Sequence, residues 1–137
     1  MMQDCIFCKI AKGEIPAVKV YEDEKVLAFM DINPINPGHT LVIPKKHAEN
    51  IFEIRPEDLW EVISVAHRIA RAIKNSLNPE GLTVVQLNGK VAGQMVPHLH
   101  IHLIPRKEDD PLKISWKMIP GDMDKIKAAA EKIKKAL

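Results

Sequence analysis

Between Pro97 and Pro105 the chain alternates histidine with aliphatic residues: His98, Leu99, His100, Ile101, His102, Leu103, Ile104. A strand sends successive side chains to opposite faces, so this run predicts one face of three imidazoles, spaced about 6.6 to 7 Å, and one purely aliphatic face. An aliphatic face must be buried, which commits the chain to a sheet with a core behind it. The two prolines suit the ends of such a strand, because proline donates nothing to a ladder. An ordinary alternating strand whose polar face happens to carry histidine would look similar. Histidine, however, is the side chain whose ordinary pKa of about 6.5 lets it act as base, nucleophile or acid near neutral pH.

A chain of 137 residues is most simply one domain with a core large enough to need no disulfide. Only 4% of residues are aromatic against 46% hydrophobic, so that core must be mainly Ile, Val, Leu, Ala and Met. The net charge of +2 gives no reason to expect a broad footprint on nucleic acid or on a membrane surface, so any anionic ligand must be held by local groups. No apolar run approaches the roughly 20 residues that span a bilayer, and residues 1–3 lead into Asp4 and Cys5 without a secretory apolar segment, so a cytoplasmic protein is expected. Cys5 and Cys8, two residues apart, then favour a metal or redox role over a structural disulfide.

Along the chain, Cys5 to Gly13 reads as a short helix closed by glycine, and Val18 to Glu22, Lys25 to Ile32 and His39 to Pro44 read as strands. The strongest helix signal runs from Pro56 to about Ser76. Proline suits its first position, Glu57 and Asp58 its positive end, and Leu59, Val62, Ile63, Ala66, Ile69, Ala70, Ile73 and Leu77 form a 3.6-period stripe. His67 lies beside this stripe and reads as a surface or half-buried residue. Asn78 to Gly81 ends the helix, Leu82 to Leu87 is a strand, and a glycine-containing loop from Asn88 to Gln94 leads to the histidines. A last helix runs from about Asp122 to the end, with lysines near its C-terminus that complement its dipole. The expected fold is α+β: an antiparallel sheet of about five strands, one long helix packed on it, a short N-terminal helix and a C-terminal helix, with the helices on one side. Residues 1–106 would form the domain and 107–137 an extension in the same compact unit.

Cys-x-x-Cys supplies two thiolates at a spacing suited to zinc, and His39, His47 and His98 are plausible further donors. A redox pair or two buried small hydrophobes would show the same spacing. On the histidine face, an imidazole whose Nδ1 proton is tied to a carbonyl presents a nucleophilic Nε2 that can attack phosphorus, while a neighbouring histidine protonates the leaving group. The glycines of the Asn88 to Gln94 loop would let backbone amides approach phosphate oxygens. Asp31 could accept two hydrogen bonds from a ribose diol, or simply form the turn before Asn33-Pro34.

These residues together resemble the histidine triad family, whose signature of three histidines separated by apolar residues is met by His98 to Ile104. The resemblance runs from Cys5 to about Arg106. It takes in Cys5-Ile6-Phe7-Cys8, Phe29-Met30-Asp31-Ile32-Asn33-Pro34, Gly38-His39-Thr40 through His47, and Gly93-Gln94. It is closest to the Hint-like branch, the histidine triad nucleotide-binding proteins. The resemblance implies a homodimer that hydrolyses purine nucleoside phosphoramidates and related nucleotidyl conjugates such as those of AMP. It implies His100 as nucleophile, His102 as general acid and His39 as a hydrogen-bonded buttress. Asp31 would hold the ribose, Ile32 would line the nucleoside pocket, and Asn88, Gly93 and Gln94 would lie near the phosphate. A structural zinc would sit on Cys5, Cys8, His47 and His98. Many relatives carry Asn at the position of Leu87 and a polar residue at that of Met95, so rate and leaving-group preference are expected to differ here. Cleavage of dinucleoside polyphosphates and a non-catalytic nucleotide-binding or interaction module are the competing expectations.

Overall fold

The computed structural model describes residues 4–137; residues 1–3 of the expected domain lie outside the described residues. Five strands, β1 (Lys19–Glu22), β2 (Val26–Met30), β3 (Thr40–Pro44), β4 (Gly81–Gln86) and β5 (Ile101–Arg106), form one sheet in the order β1-β2-β3-β5-β4 with every pair antiparallel. Three α-helices accompany them: α1 (Ile6–Ala11), α2 (Pro56–Leu77) and α3 (Met123–Ala136). The α+β sheet architecture expected from the pattern is the one observed.

Strand alternation divides the interior in two. Val26, Ala28, Val42, Leu99, Ile101 and Leu103 meet Val62, Val65, Ala66 and Ile73 of α2 on one face. Leu27, Phe29, Leu41 and Ile43 point the other way, onto Phe7, Cys8 and Ile10 of α1. The helices therefore lie on both faces, not one. Position 27 faces opposite to 26 and 28, so a continuously apolar β2 needs a cover on each side. The packed stripe of α2 also differs from expectation: Val65 belongs to it, whereas Ile63 and Leu77 are exposed. Ile63, Ala66 and Ala70 instead border a groove of about 420 Å³ against Val84 of β4, an edge strand, and exposed His67 borders it too.

The histidine strand is shorter than its alternation suggests. Ladder pairing on β3 stops at Val42 with Ile101, so His98 to His100 precede the strand proper. Extending the register would set Pro44 opposite Leu99. Proline has no N–H to give, and the Pro44 carbonyl is taken by the His98 ring at 2.8 Å. Leu99 N donates instead to Ala48 O at 2.8 Å, holding the segment extended. Its faces survive: Leu99, Ile101 and Leu103 are all in the α2 core, which leaves the three histidines on the α1 side.

Beyond Leu112 almost every residue is exposed, and α3 buries none of its own. Asp122 caps α3 by accepting from Asp124 N and Lys125 N. Trp116, Met118, Ile119 and Leu137 all lie open. The accessible surface of 9821 Å² exceeds the roughly 7,200 Å² of a compact monomer of 15.4 kDa.

Candidate active site

Each histidine of the run has one ring nitrogen committed, and the commitments fix what the other can do. His98 Nε2–H donates to Pro44 O, leaving the Nδ1 lone pair facing Cys5 Sγ at 3.2 Å and Cys8 Sγ at 3.5 Å. His100 Nδ1–H donates to His98 O at 2.8 Å, which leaves its Nε2 as a free lone pair. His39 Nδ1 accepts from Ile35 N at 3.1 Å, so neutral His39 carries its proton on Nε2, 3.0 Å from His102 Nδ1. Neutral His102 therefore carries its proton on Nε2. The result is a bare ring nitrogen on His100 and an N–H donor on His102 side by side, with ring centroids 4.8 Å apart, closer than strand spacing alone predicts.

Burial keeps these rings neutral. It depresses the pKa of His102 to about 4, with the neighbouring His100 and His39 adding to the effect, and it lowers His100 and His39 below the ordinary histidine value. In the unfolded chain His102 titrates near 6.5, so between about pH 6.5 and 4 the unfolded state binds more protons than the folded one. Stability is expected to be highest above pH 6.5 and to fall as pH drops through that window. Urea titrations of the protein and of His102→Gln check this: the variant should lose part of the slope, and an unchanged slope would refute it.

The two rings open onto a cavity of about 540 Å³ lined by Ile10, Ile15, Phe29, Asp31, Ile32, Leu87, Gly93 and Met95 among others. Its volume suits a nucleotide-sized ligand. Asp31 stands at its rim just after β2, with Oδ1 accepting from Asn33 N at 2.8 Å and Oδ2 3.4 Å from His39 Nε2. The turn-forming reading of Asp31 is the one observed, and the residue also lines the cavity. Ile32 is 85% exposed, an apolar side chain open to the cavity. Continuing the β4–β5 register by one residue sets Leu87 opposite His100, so this leucine occupies the wall beside that ring.

Asn88 and Gln94 do something other than face the cavity. Gln94 Nε2 donates to Glu49 O and Val96 O while its Oε1 accepts from Gly89 N. Asn88 Oδ1 accepts from Ile51 N and Gln86 Nε2. Both amides are consumed in shaping the loop that presents Gly93. Phe7, which the sequence reading does not single out, lies edge-on to His100 at 5.1 Å and to His98 at 5.9 Å. Its place inside the Cys-x-x-Cys spacer was the available signal.

Cys5, Cys8, His47 and His98 bring four nitrogen and sulfur donors within 4.8 Å of one another. The sulfur-to-nitrogen separations of 3.2, 3.3 and 3.5 Å are close to the edge of about 3.5 Å in a tetrahedral zinc site of two sulfurs and two nitrogens. The free Nδ1 lone pair of His98 suits it to ligate, and the group could hold a metal. Burial and the neighbouring Cys5 push the Cys8 thiol up to about 11, a cost that a bound cation would reverse. Asp31, His39 and His102 also cluster, but His39 keeps its proton on the nitrogen that faces the other two, which makes it a donor and not a ligand.

The HIT domain family model matches residues 12–109. The chain belongs to the HIT domain family. It is 42% identical to the adenosine 5'-monophosphoramidase hnt1 of Schizosaccharomyces pombe over 94% of this chain and 95% of that protein. A HIT family protein from Bacillus anthracis superposes with a TM-score of 0.92 at 46% identity, covering 98% of each chain, so its match extends through the C-terminal extension of this HIT protein. A zinc-bound histidine triad family protein from Mycobacterium smegmatis is similar at 36% identity and a TM-score of 0.75, covering 100% of both chains. Among the described residues of the HIT chain, no helix is long and apolar enough to cross a membrane.

Proposed function

We propose that this protein hydrolyses purine nucleoside phosphoramidates and related nucleotidyl conjugates through a nucleotidyl-histidine intermediate. The observation that carries the reading is the pair of opposed tautomers: a bare Nε2 on His100 beside an Nε2–H on His102, both lining one cavity. Attack of His100 Nε2 on phosphorus forms a P–N bond as the bond to the leaving amine breaks, and His102 supplies the proton that the amine carries away. Water then attacks the same phosphorus, giving its proton to His102 and releasing AMP and free His100. Asp31 would take the ribose hydroxyls, the apolar slot the base, and Gly93 backbone the phosphate.

The test is to mix the protein with adenosine 5'-monophosphoramidate and follow both intact mass and products. A transient gain of one adenylyl group with AMP accumulating supports the reading. Bound nucleotide without adduct or product would favour a binding module, and preferential cleavage of dinucleoside polyphosphates would shift the leaving group. Leu87 beside His100 and exposed Met95 make that part of the cavity wall apolar, so neither position offers a side-chain donor to a developing charge. Leu87→Asn should therefore raise kcat on the phosphoramidate, by up to roughly 10²-fold if the amide reaches the reacting oxygen. Steady-state kinetics decide, and no change or a loss would sink the idea.

Zinc held by Cys5, Cys8, His47 and His98 would be structural, because the four donors fill a tetrahedron and leave no position for a catalytic water. Reduced thiols in that site fit a cytoplasmic setting. The open α2–β4 groove, the β4 edge and the uncovered extension supply the apolar surface that a homodimer would bury, and residues 107–137 would then fold as part of the dimer's compact unit.

A further inference from the structure

The tautomer of His102 depends on His39, and that of His39 is set from two sides, by Ile35 N–H on Nδ1 at 3.1 Å and by the Asp31 carboxylate, whose Oδ2 stands 3.4 Å from Nε2. Ile35 lies in a connecting loop with two prolines between Asp31 and Gly38, so something must hold it there. Asn36, the next residue, is 8% exposed and donates from Nδ2 to Pro105 O at 2.8 Å and to Asp110 Oδ2 at 2.9 Å. Its own carbonyl accepts from His39 N at 3.1 Å. Asp110 is in turn immobilised: its side chain is 1% exposed, and Arg106 grips it bidentately at 2.7 and 2.8 Å. Gly38 closes the same loop against Pro105 so tightly that an added Cβ would stand 3.0 Å from the Pro105 ring.

We propose that Asn36 and Asp110 are positioning residues for the reaction: anchored by Arg106, they seat the Ile35 amide on His39 Nδ1 and so select the tautomer that leaves a proton on His102 Nε2. The inference rests on the reading of His102 as proton donor. Neither residue lines the cavity, and Asp110 is 74 residues distant in sequence from Asn36. Without the anchor, His39 can carry its proton on Nδ1 and accept at Nε2. His102 is then free to hold its proton on Nδ1, which turns a lone pair toward the leaving group in place of a donor.

The experiment records histidine ring ¹⁵N–¹H spectra of the free protein beside steady-state kinetics on adenosine 5'-monophosphoramidate. Asn36→Ala removes the amide and leaves the Arg106–Asp110 pair intact. Asn36→Asp keeps the shape but sets a carboxylate against Asp110 and Pro105 O. Thr83→Val, which cuts a bond from Arg106 that does not involve the loop, is the control. In the wild type, a single Nε2–H tautomer of His39 and a hydrogen-bond coupling between Ile35 N and His39 Nδ1 are expected. In the Asn36 variants, Asp more than Ala, the coupling should vanish and a second tautomer appear, with kcat reduced about 10- to 100-fold and KM within about twofold. Thr83→Val should match wild type in both. Absence of the coupling in wild type overturns the proposal whether or not the variants fold, and so do folded Asn36 variants with one tautomer and unaltered kcat. The ring spectra need no substrate, so a wild type with the coupling but without turnover would refute the proposed activity and not the positioning.

Discussion

Replacing His100 with alanine is expected to reduce turnover of adenosine 5'-monophosphoramidate by about 10⁴-fold or more and to abolish the adenylyl adduct. His100 alone combines a committed Nδ1–H, a bare Nε2 and a place in the cavity wall, so no neighbour can take over: His102 presents N–H there and His98 is turned toward the cysteines. The side chain is buried against Phe7, and truncation leaves a void, so His100→Asn serves as a companion that keeps a donor for His98 O. Both variants should melt within a few degrees of wild type while making no adduct. An adduct persisting in His100→Asn would transfer the nucleophile elsewhere and refute the mechanism. His102→Ala should behave differently, with a defect that is severe for an amine leaving group and shrinks for a conjugate whose leaving group departs without a proton.

The second large effect is expected at the cysteine cluster. The purified protein should carry about one equivalent of zinc, and stripping it, or making Cys5→Ala with Cys8→Ala, should lower stability by about 3 to 5 kcal/mol, roughly 10 to 20 °C in Tm. The four donors tie together α1, the segment after β3 and the segment before β5, which no regular hydrogen-bond ladder joins. Cys5 caps α1 by accepting from Cys8 N, so losing it also costs the helix its start. Elemental analysis and calorimetry settle the matter: a metal-free protein that melts with the metal-loaded one, or a double alanine variant with unaltered Tm, would remove the structural role of the metal.

Local periodicity and local breakers are what the sequence displays most plainly. Pro56 and Asn78 bound α2 because one fits a first helical turn and the other takes a left-handed cap at φ 46°, and both effects are read from neighbours alone. The face on which His98, His100 and His102 lie was equally legible, since alternation needs no partner. The length of β5 was not, because the Pro44 that ends its ladder lies far away in sequence. For the same reason the sequence does not show where the side-chain amides of Asn88 and Gln94 go, which the fold spends on Ile51, Glu49 and Gly89. Asn36 and Asp110 carry no local signature at all; only tertiary contact reveals them.

The two apolar clusters on either side of the sheet differ in how they are held. The α2 side is closed by a 22-residue helix, whereas the α1 side, which walls His100, rests on a helix of six residues that is too short to persist alone. Once the cysteine cluster lets go of α1, the molecule is therefore expected to loosen in layers, the thin leaf lifting and flooding His100 with water while the thick one stays shut. A chain in that condition would look folded by its helix content and its main core, yet would have no reactive imidazole sheltered from solvent.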